Sequence, residues 1–148
     1  MSKDLLEIMQ PFNIPVRVYI EDTDAGGIVY YVNYLKFMER SRTEFLRNFG
    51  YDKPAILEGG LLLVVHSAQI NYRRPARLDN LLGVTAQISK LARTYIEFQQ
   101  QVLRGEELLC EGLIRIACVD AESIKPSALP ASMYQRLDQS LRLHTIKS

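Results

Sequence analysis

One run of helical periodicity, residues 31–49, is followed by four long stretches in which apolar and polar residues alternate at every second position. That imbalance constrains the fold more than any other feature. At about 100° per residue, Tyr34, Leu35, Met38, Phe45, Leu46 and Phe49 share one broad apolar arc, and Lys36, Arg40, Thr43 and Arg47 form the opposite stripe. Gly50 supplies a stop. An arc this wide belongs to a helix embraced on most of its circumference. Before it, PVRVYI at 15–20 reads as a short strand. After it, Leu62, Val64, His66, Ala68, Ile70 and Tyr72 alternate against Ser67, Gln69, Asn71 and Arg73. PARLDN at 75–80 reads as a turn. Leu82, Val84, Ala86 and Ile88 make a second run, and Thr94, Ile96, Phe98 and Val102 a third, opposed by Tyr95, Glu97 and Gln99. RGEE at 104–107 marks a hairpin. The last run, 108–119, puts Leu108, Cys110, Ile114, Ile116 and Cys118 on one side.

One helix cannot cover both faces of such a sheet, and no parallel crossovers are encoded. The expectation is an α+β domain, a curved antiparallel sheet of meandering strands around a central helix. Its uncovered face or edge argues for self-association. The 148 residues suit a single domain with a core at about 15–130, and ASMYQRLDQSLR after Pro130 adds a short helix at about 131–142. A net charge of +1 gives no field to gather nucleic acid or an anionic membrane. The opening MSKDLLEIMQPFNIP lacks the apolar run of a secretory signal. No stretch approaches the ~20 apolar residues of a membrane span. A cytoplasmic protein is expected. Cys110 and Cys118 lie on one extended run, roughly 26 Å apart at ~3.3 Å per residue, and are expected to be reduced.

Chemistry concentrates in EDTDAGGIVYYVNY, residues 21–34. Asp22, Asp24 and Gly27 fit the start of a calcium loop, but Asn33 stands where its bidentate acid belongs. The histidines and cysteines lack zinc-ligand spacing. An Asp-x-Asp phosphotransfer reading fails because Gly26 replaces the usual threonine and the sheet is antiparallel. The third reading sets one carboxylate before a helix N-terminus. First-turn N–H groups have no intrahelical partner and that end is positive, so a docked carbonyl is polarised and an oxyanion stabilised. Gly26 and Gly27 leave the backbone open to substrate, and Asp24 is placed to attack or to deprotonate water. No strong acid for a leaving group is evident. A thiol of pKa about 8.5 departs without one, which favours thioesters. A capping or Asx-turn role for Asp24 stays open, and Glu21 and Asp22 read as turn and strand-end residues.

YIEDTDAGGIVYYVNYLKFMERSRTEFL, YRRPARLDN at 72–80 and CVD…KPSALP at 118–130 together resemble the YbgC-like, Tol-Pal-associated acyl-CoA thioesterases, and more broadly the 4-hydroxybenzoyl-CoA thioesterases. The resemblance runs from about residue 15 to 130. It implies a hotdog fold working as a dimer or tetramer, with Asp24 as the catalytic carboxylate and the Tyr31 backbone amide as the carbonyl-polarising donor. YbgC-like members commonly have histidine where this chain has Tyr31; the hydroxybenzoyl enzymes have tyrosine. Glu39 matches an acidic position facing the acyl group in the latter, and a Glu39–Arg42 tie is the competing reading.

Arg73, Arg74, Arg77 and Arg93, at two strand ends, are candidates for coenzyme A phosphates, against solvated turn charges. His66 reads as a core or interface histidine and His144 as a tail residue. The expectation is hydrolysis of a small or medium acyl-CoA, with no metal and no cofactor beyond the coenzyme A of the substrate. Alternatives are a hydroxyacyl-thioester dehydratase, which would need His66, and a non-catalytic partner of an envelope or acyl-carrier complex.

Overall fold

The computed structural model describes residues 11–147, with side chains as far as Leu143. The readings made for residues 1–10 and for His144 lie outside them. The elements run β1 (Phe12–Arg17), a short 3-10 turn (Ile20–Asp22), α1 (Val32–Arg47), β2 (Ile56–Leu57), β3 (Leu61–Tyr72), β4 (Leu81–Leu91), β5 (Tyr95–Arg104), β6 (Glu107–Asp120) and α2 (Ala131–Lys147). All six strands form one antiparallel sheet in the order β1-β4-β5-β6-β3-β2. The α+β expectation of an antiparallel sheet curving about one helix holds. α1 packs on β4, β1 and β5, with Tyr34, Phe37, Met38 and Leu46 buried. Leu35 stays partly exposed on its flank. Met133 and Leu137 of α2 are sealed in the same core.

Three details depart from the sequence reading. The first strand occupies 12–17 rather than 15–20, because Val18 donates to Asn80 O at 2.9 Å and the chain then turns at Ile20–Asp22. The four long strands do not form a simple meander. β4, β5 and β6 do, but β3 pairs with β6 instead of β4. The cause is the 75–80 segment: Ala76 is fully buried, and its carbonyl accepts from Val29 N at 2.9 Å, so the chain enters β4 beside β1.

The third departure is a register shift in β3 between Val65 and Ser67. His66 is the extra residue of a β-bulge, and a bulge reverses the parity of everything before it. Leu63 and Val65 therefore oppose Cys118 and Ile116, while Ala68, Ile70 and Tyr72 oppose Ile114, Gly112 and Cys110. Leu63 and Ile70 pack against the core. Leu62, Val64 and His66 do not share that face, and His66 is exposed.

A polar row crosses the core where α1 meets β4 and β5. The Gln100 amide, fully buried, donates to Met38 O at 2.9 Å and Thr85 O at 3.0 Å, and its Oε1 accepts from Arg42 Nη1 at 3.0 Å. Ser41 Oγ donates to Val84 O at 2.8 Å. These bonds satisfy the backbone polar groups that a close helix–sheet contact would otherwise orphan.

Candidate active site

The acidic stretch is a small backbone hairpin. Thr23 and Val29 are bridged, Asp24 N donates to Ile28 O at 2.9 Å, and Gly27 N donates to Asp24 O at 3.1 Å. Gly27 has φ +73°, a conformation few residues other than glycine adopt readily. The hairpin is pinned to the 75–80 segment by the Ile28–Arg77 bridge and by Leu78 N donating to Gly27 O at 3.0 Å.

Two carboxylates in this stretch have different fates. Asp22, 6% exposed, accepts from Tyr19 N on Oδ2 and from Asn33 Nδ2 on Oδ1, both at 2.9 Å. It ties the 3-10 turn to the first turn of α1. Asp24 is exposed. Its Oδ1 accepts from Gly26 N at 2.9 Å and Ile28 N at 3.4 Å, the Asx-type turn that the sequence left open. Its Oδ2 has no hydrogen-bond partner among the described residues. One oxygen fixes the side chain and the other is presented to solvent. The Asx-turn reading holds, and it leaves one carboxylate oxygen uncommitted.

The helix beyond opens without a side-chain cap at Tyr31. Asn33 N and Tyr34 N turn back to Tyr30 O and Tyr31 O at 2.8 and 3.3 Å, while Tyr31 N has no acceptor among the described residues. This amide lies three residues beyond the Ile28 that faces Asp24. Around it stand aromatic rings: Tyr31 meets Tyr30 at 4.9 Å and Tyr72 at 6.0 Å between centroids, and Tyr72 meets Tyr34 at 5.5 Å. Tyr72 O–H donates to Tyr31 O at 3.2 Å, holding β3 against the helix opening. A hydrogen bond with Tyr31 raises the Tyr30 phenol above its ordinary pKa, and burial raises those of Tyr34 and Tyr72. These phenols stay protonated near neutrality. The aromatic collar was not read from the sequence, because Tyr72 lies about forty positions from Tyr31 and only the sheet brings them together.

The remaining candidates are spread out. Arg77 lies beside the Gly26–Gly27 turn through its backbone bridge to Ile28. Arg73 pairs with Glu111 at 2.6 Å and Arg74 with Glu107 at 3.1 Å. Arg93 follows the far end of β4, so at ~3.4 Å per residue the length of that strand, roughly 35 Å, separates it from the other arginines. Glu39 is exposed, about 12 Å along α1 from Tyr31 at 1.5 Å per residue. It makes no ion pair with Arg42, whose guanidinium turns to Gln100. Cys110 and Cys118 are free, buried thiols on β6, and burial pushes Cys110 up to about 12. Among the described residues no His, Cys, Asp or Glu side chains gather as a metal site, and no helix is long and apolar enough to cross a membrane.

Comparison with known proteins agrees with this architecture. Residues 18–137 match the family model of the thioesterase-like superfamily. The acyl-CoA thioester hydrolase YbgC of Escherichia coli O6:H1 is 40% identical over 129 residues, covering 86% of this chain and 96% of that protein. The acyl-CoA thioesterase YbgC of Haemophilus influenzae is 43% identical over 120 residues, covering 80% and 88%. Among solved structures, a probable thioesterase from Bartonella henselae superposes with a TM-score of 0.72 at 40% identity, covering 82% of this chain and all of that one. With the strand order and the helix opening already in place, the chain belongs to the thioesterase-like superfamily, beside the YbgC acyl-CoA thioesterases.

Proposed function

We propose that this protein hydrolyses the thioester of a small or medium acyl-CoA, with Asp24 and the Tyr31 amide as its reacting and polarising groups. The observation that carries the reading is a carboxylate with one uncommitted oxygen on a pinned hairpin, followed at once by an unaccepted amide at the helix opening. The substrate carbonyl docks on Tyr31 N–H. The Asp24 oxygen either takes a proton from water, which adds to the carbonyl carbon, or adds there itself to give an anhydride that water then cleaves. In both routes the C–S bond breaks, coenzyme A leaves as its thiolate, and the free acid departs. A donor such as the Tyr31 amide typically contributes roughly 2.7–4 kcal/mol to the transition state. No metal or bound cofactor enters these steps.

The site is open to water in one chain, and low dielectric is what makes such groups effective. Residues 64–72 of β3 lie beyond the two-residue β2, whose pairing with Leu61 and Leu62 is extended by Leu63 N donating to Ala55 O at 3.0 Å. That leaves an accessible strand edge ending at Tyr72, beside the helix opening. A second copy pairing there covers the site, so the working form is read as a homodimer or higher oligomer. The protein is read as cytoplasmic. Arg77 is placed to reach a phosphate of coenzyme A; Arg73 and Arg74 are committed to carboxylates, and Arg93 is remote. The dehydratase reading is weaker because His66 sits at an exposed bulge. A non-catalytic partner of an envelope or acyl-carrier complex remains the second reading.

Free-thiol release from a panel of acyl-CoAs tests the proposal. Turnover of at least one is expected, and no thiol from any chain length would leave the non-catalytic reading in its place.

A further inference from the structure

We propose that Arg42 reads the far end of the acyl group and selects acyl-CoAs whose chain ends in a carboxylate. The inference rests on the hydrolase reading above and adds a substrate class to it. Arg42 is 7% exposed, and its guanidinium has one hydrogen-bond partner among the described residues, the neutral Gln100 Oε1. No carboxylate lies within ion-pairing distance of it. Desolvation lowers its pKa to about 10. A buried cation held by a single neutral acceptor is costly unless something else meets it.

The guanidinium borders a cavity of about 90 Å³ between α1 and the β3–β6 pair. Leu46, Pro54, Ala55, Leu63, Val65 and Ile116 make it mostly apolar, and the more exposed Glu39 and Thr43 complete its lining. With Nη1 given to Gln100, the Nε and Nη2 edge has no partner among the described residues. That edge is the fork that takes a carboxylate with two parallel bonds. Glu39 contributes a like charge, but it is exposed and screened by solvent.

The cavity and the helix opening lie along the same side of α1. Arg42 lies eleven residues beyond Tyr31, about 16 Å along the axis and rotated only about 20° about it. Tyr31, Leu35, Met38, Arg42 and Leu46 thus follow one flank of α1. Beside them Tyr72, Ile70 and Val65 of β3 share the helix-facing side of the sheet. A Cβ built on Gly112 would meet Ile70 at 2.8 Å and the Met38 sulfur at 3.0 Å, which shows how closely the two rows approach. An acyl chain with its thioester at Tyr31 and its other end at Arg42 follows this apolar flank. Subtracting a hydrogen bond of about 3 Å at each end leaves room for roughly six to ten carbons.

The test compares coenzyme A monothioesters of equal chain length ending in a carboxylate, a hydroxyl or a methyl group, using the full-length protein. Binding of the matching free acids is measured by calorimetry, so the result does not depend on turnover. The expected outcome is a preference of tenfold or more for the carboxylate end, in kcat/KM and in Kd. Arg42→Met should bring the three ends within about threefold of one another, and Glu39→Gln should widen the wild-type preference by removing a like charge. Equal handling of carboxylate and methyl ends, or of carboxylate and hydroxyl ends, by the folded wild-type protein would overturn the proposal and leave the hydrolase reading intact. A carboxylate preference in binding without thiol release would do the reverse. Should Arg42→Met fail to fold, the wild-type comparison and Glu39→Gln still decide.

Discussion

At the opening of α1 the important polar groups stand in contact with water and are held by backbone, whereas ten residues further along they are buried and held by side chains. Asp24 is exposed and fixed by the amides of its own turn. Arg42 and Gln100 are enclosed and fixed across elements far apart in sequence. An exposed group oriented through its own turn can change without loss of the fold, because water replaces what is removed. A buried group that others depend on cannot, because its partners have nowhere else to turn. The same contrast recurs at short range between Asp24 and Asp22, two positions apart.

This difference can be broken by substitution, and the largest effect belongs to the exposed region. Asp24→Asn keeps a turn acceptor but loses the carboxylate, and should cost roughly 10³-fold in turnover, about 4 kcal/mol in the barrier, with little change in Tm. Thiol-release kinetics and a thermal melt on the same sample check both halves. An active Asp24→Asn protein would remove the mechanism. Next comes Gln100→Leu, which leaves Met38 O, Thr85 O and Arg42 without their partner and should destabilise by about 3 kcal/mol in urea titration. A smaller loss would show that the row is looser than its distances indicate.

Asp22→Ala removes acceptors for Tyr19 N and the Asn33 amide and should cost about 2 kcal/mol, with lower activity through a less ordered helix opening. Asp22→Asn is expected to recover part of it. A smaller effect concerns alkaline pH. The folded-state pKa of Cys110 is raised from about 9 to about 12, so above pH 9 the unfolded chain gives up a proton that the native state keeps. Stability therefore declines as pH rises from 9 toward 12. Tyr34 and Tyr72, also raised, add the same sign above pH 10. Comparing urea midpoints at pH 8 and 10 for the wild type and Cys110→Ala isolates the cysteine share.

The sequence by itself determined the element types and the run of acidic and glycine residues that precedes the helix opening. Period-two runs and one wide-arced helix are local properties, and so is a glycine turn that folds Asp24 back beside Ile28. What it did not carry is visible in particular residues. His66 looked like one more member of an alternating face, but the bulge there is stabilised by pairing with β6 and reverses the parity before it. β3 was read as the neighbour of β4, yet the buried Ala76 and the Val29–Ala76 bond steer the chain past it.

A tie between Arg42 and Glu39 was one of two open readings of Glu39, because three-residue spacing on a helix permits that pair. Only tertiary structure supplied Gln100, fifty-eight positions away, as its acceptor. Tyr72 joined the helix opening for the same reason. Periodicity reports which face of an element is dry. Which distant groups share that dryness is decided by strand order and register, and these are set by long-range pairing energies that no local window contains.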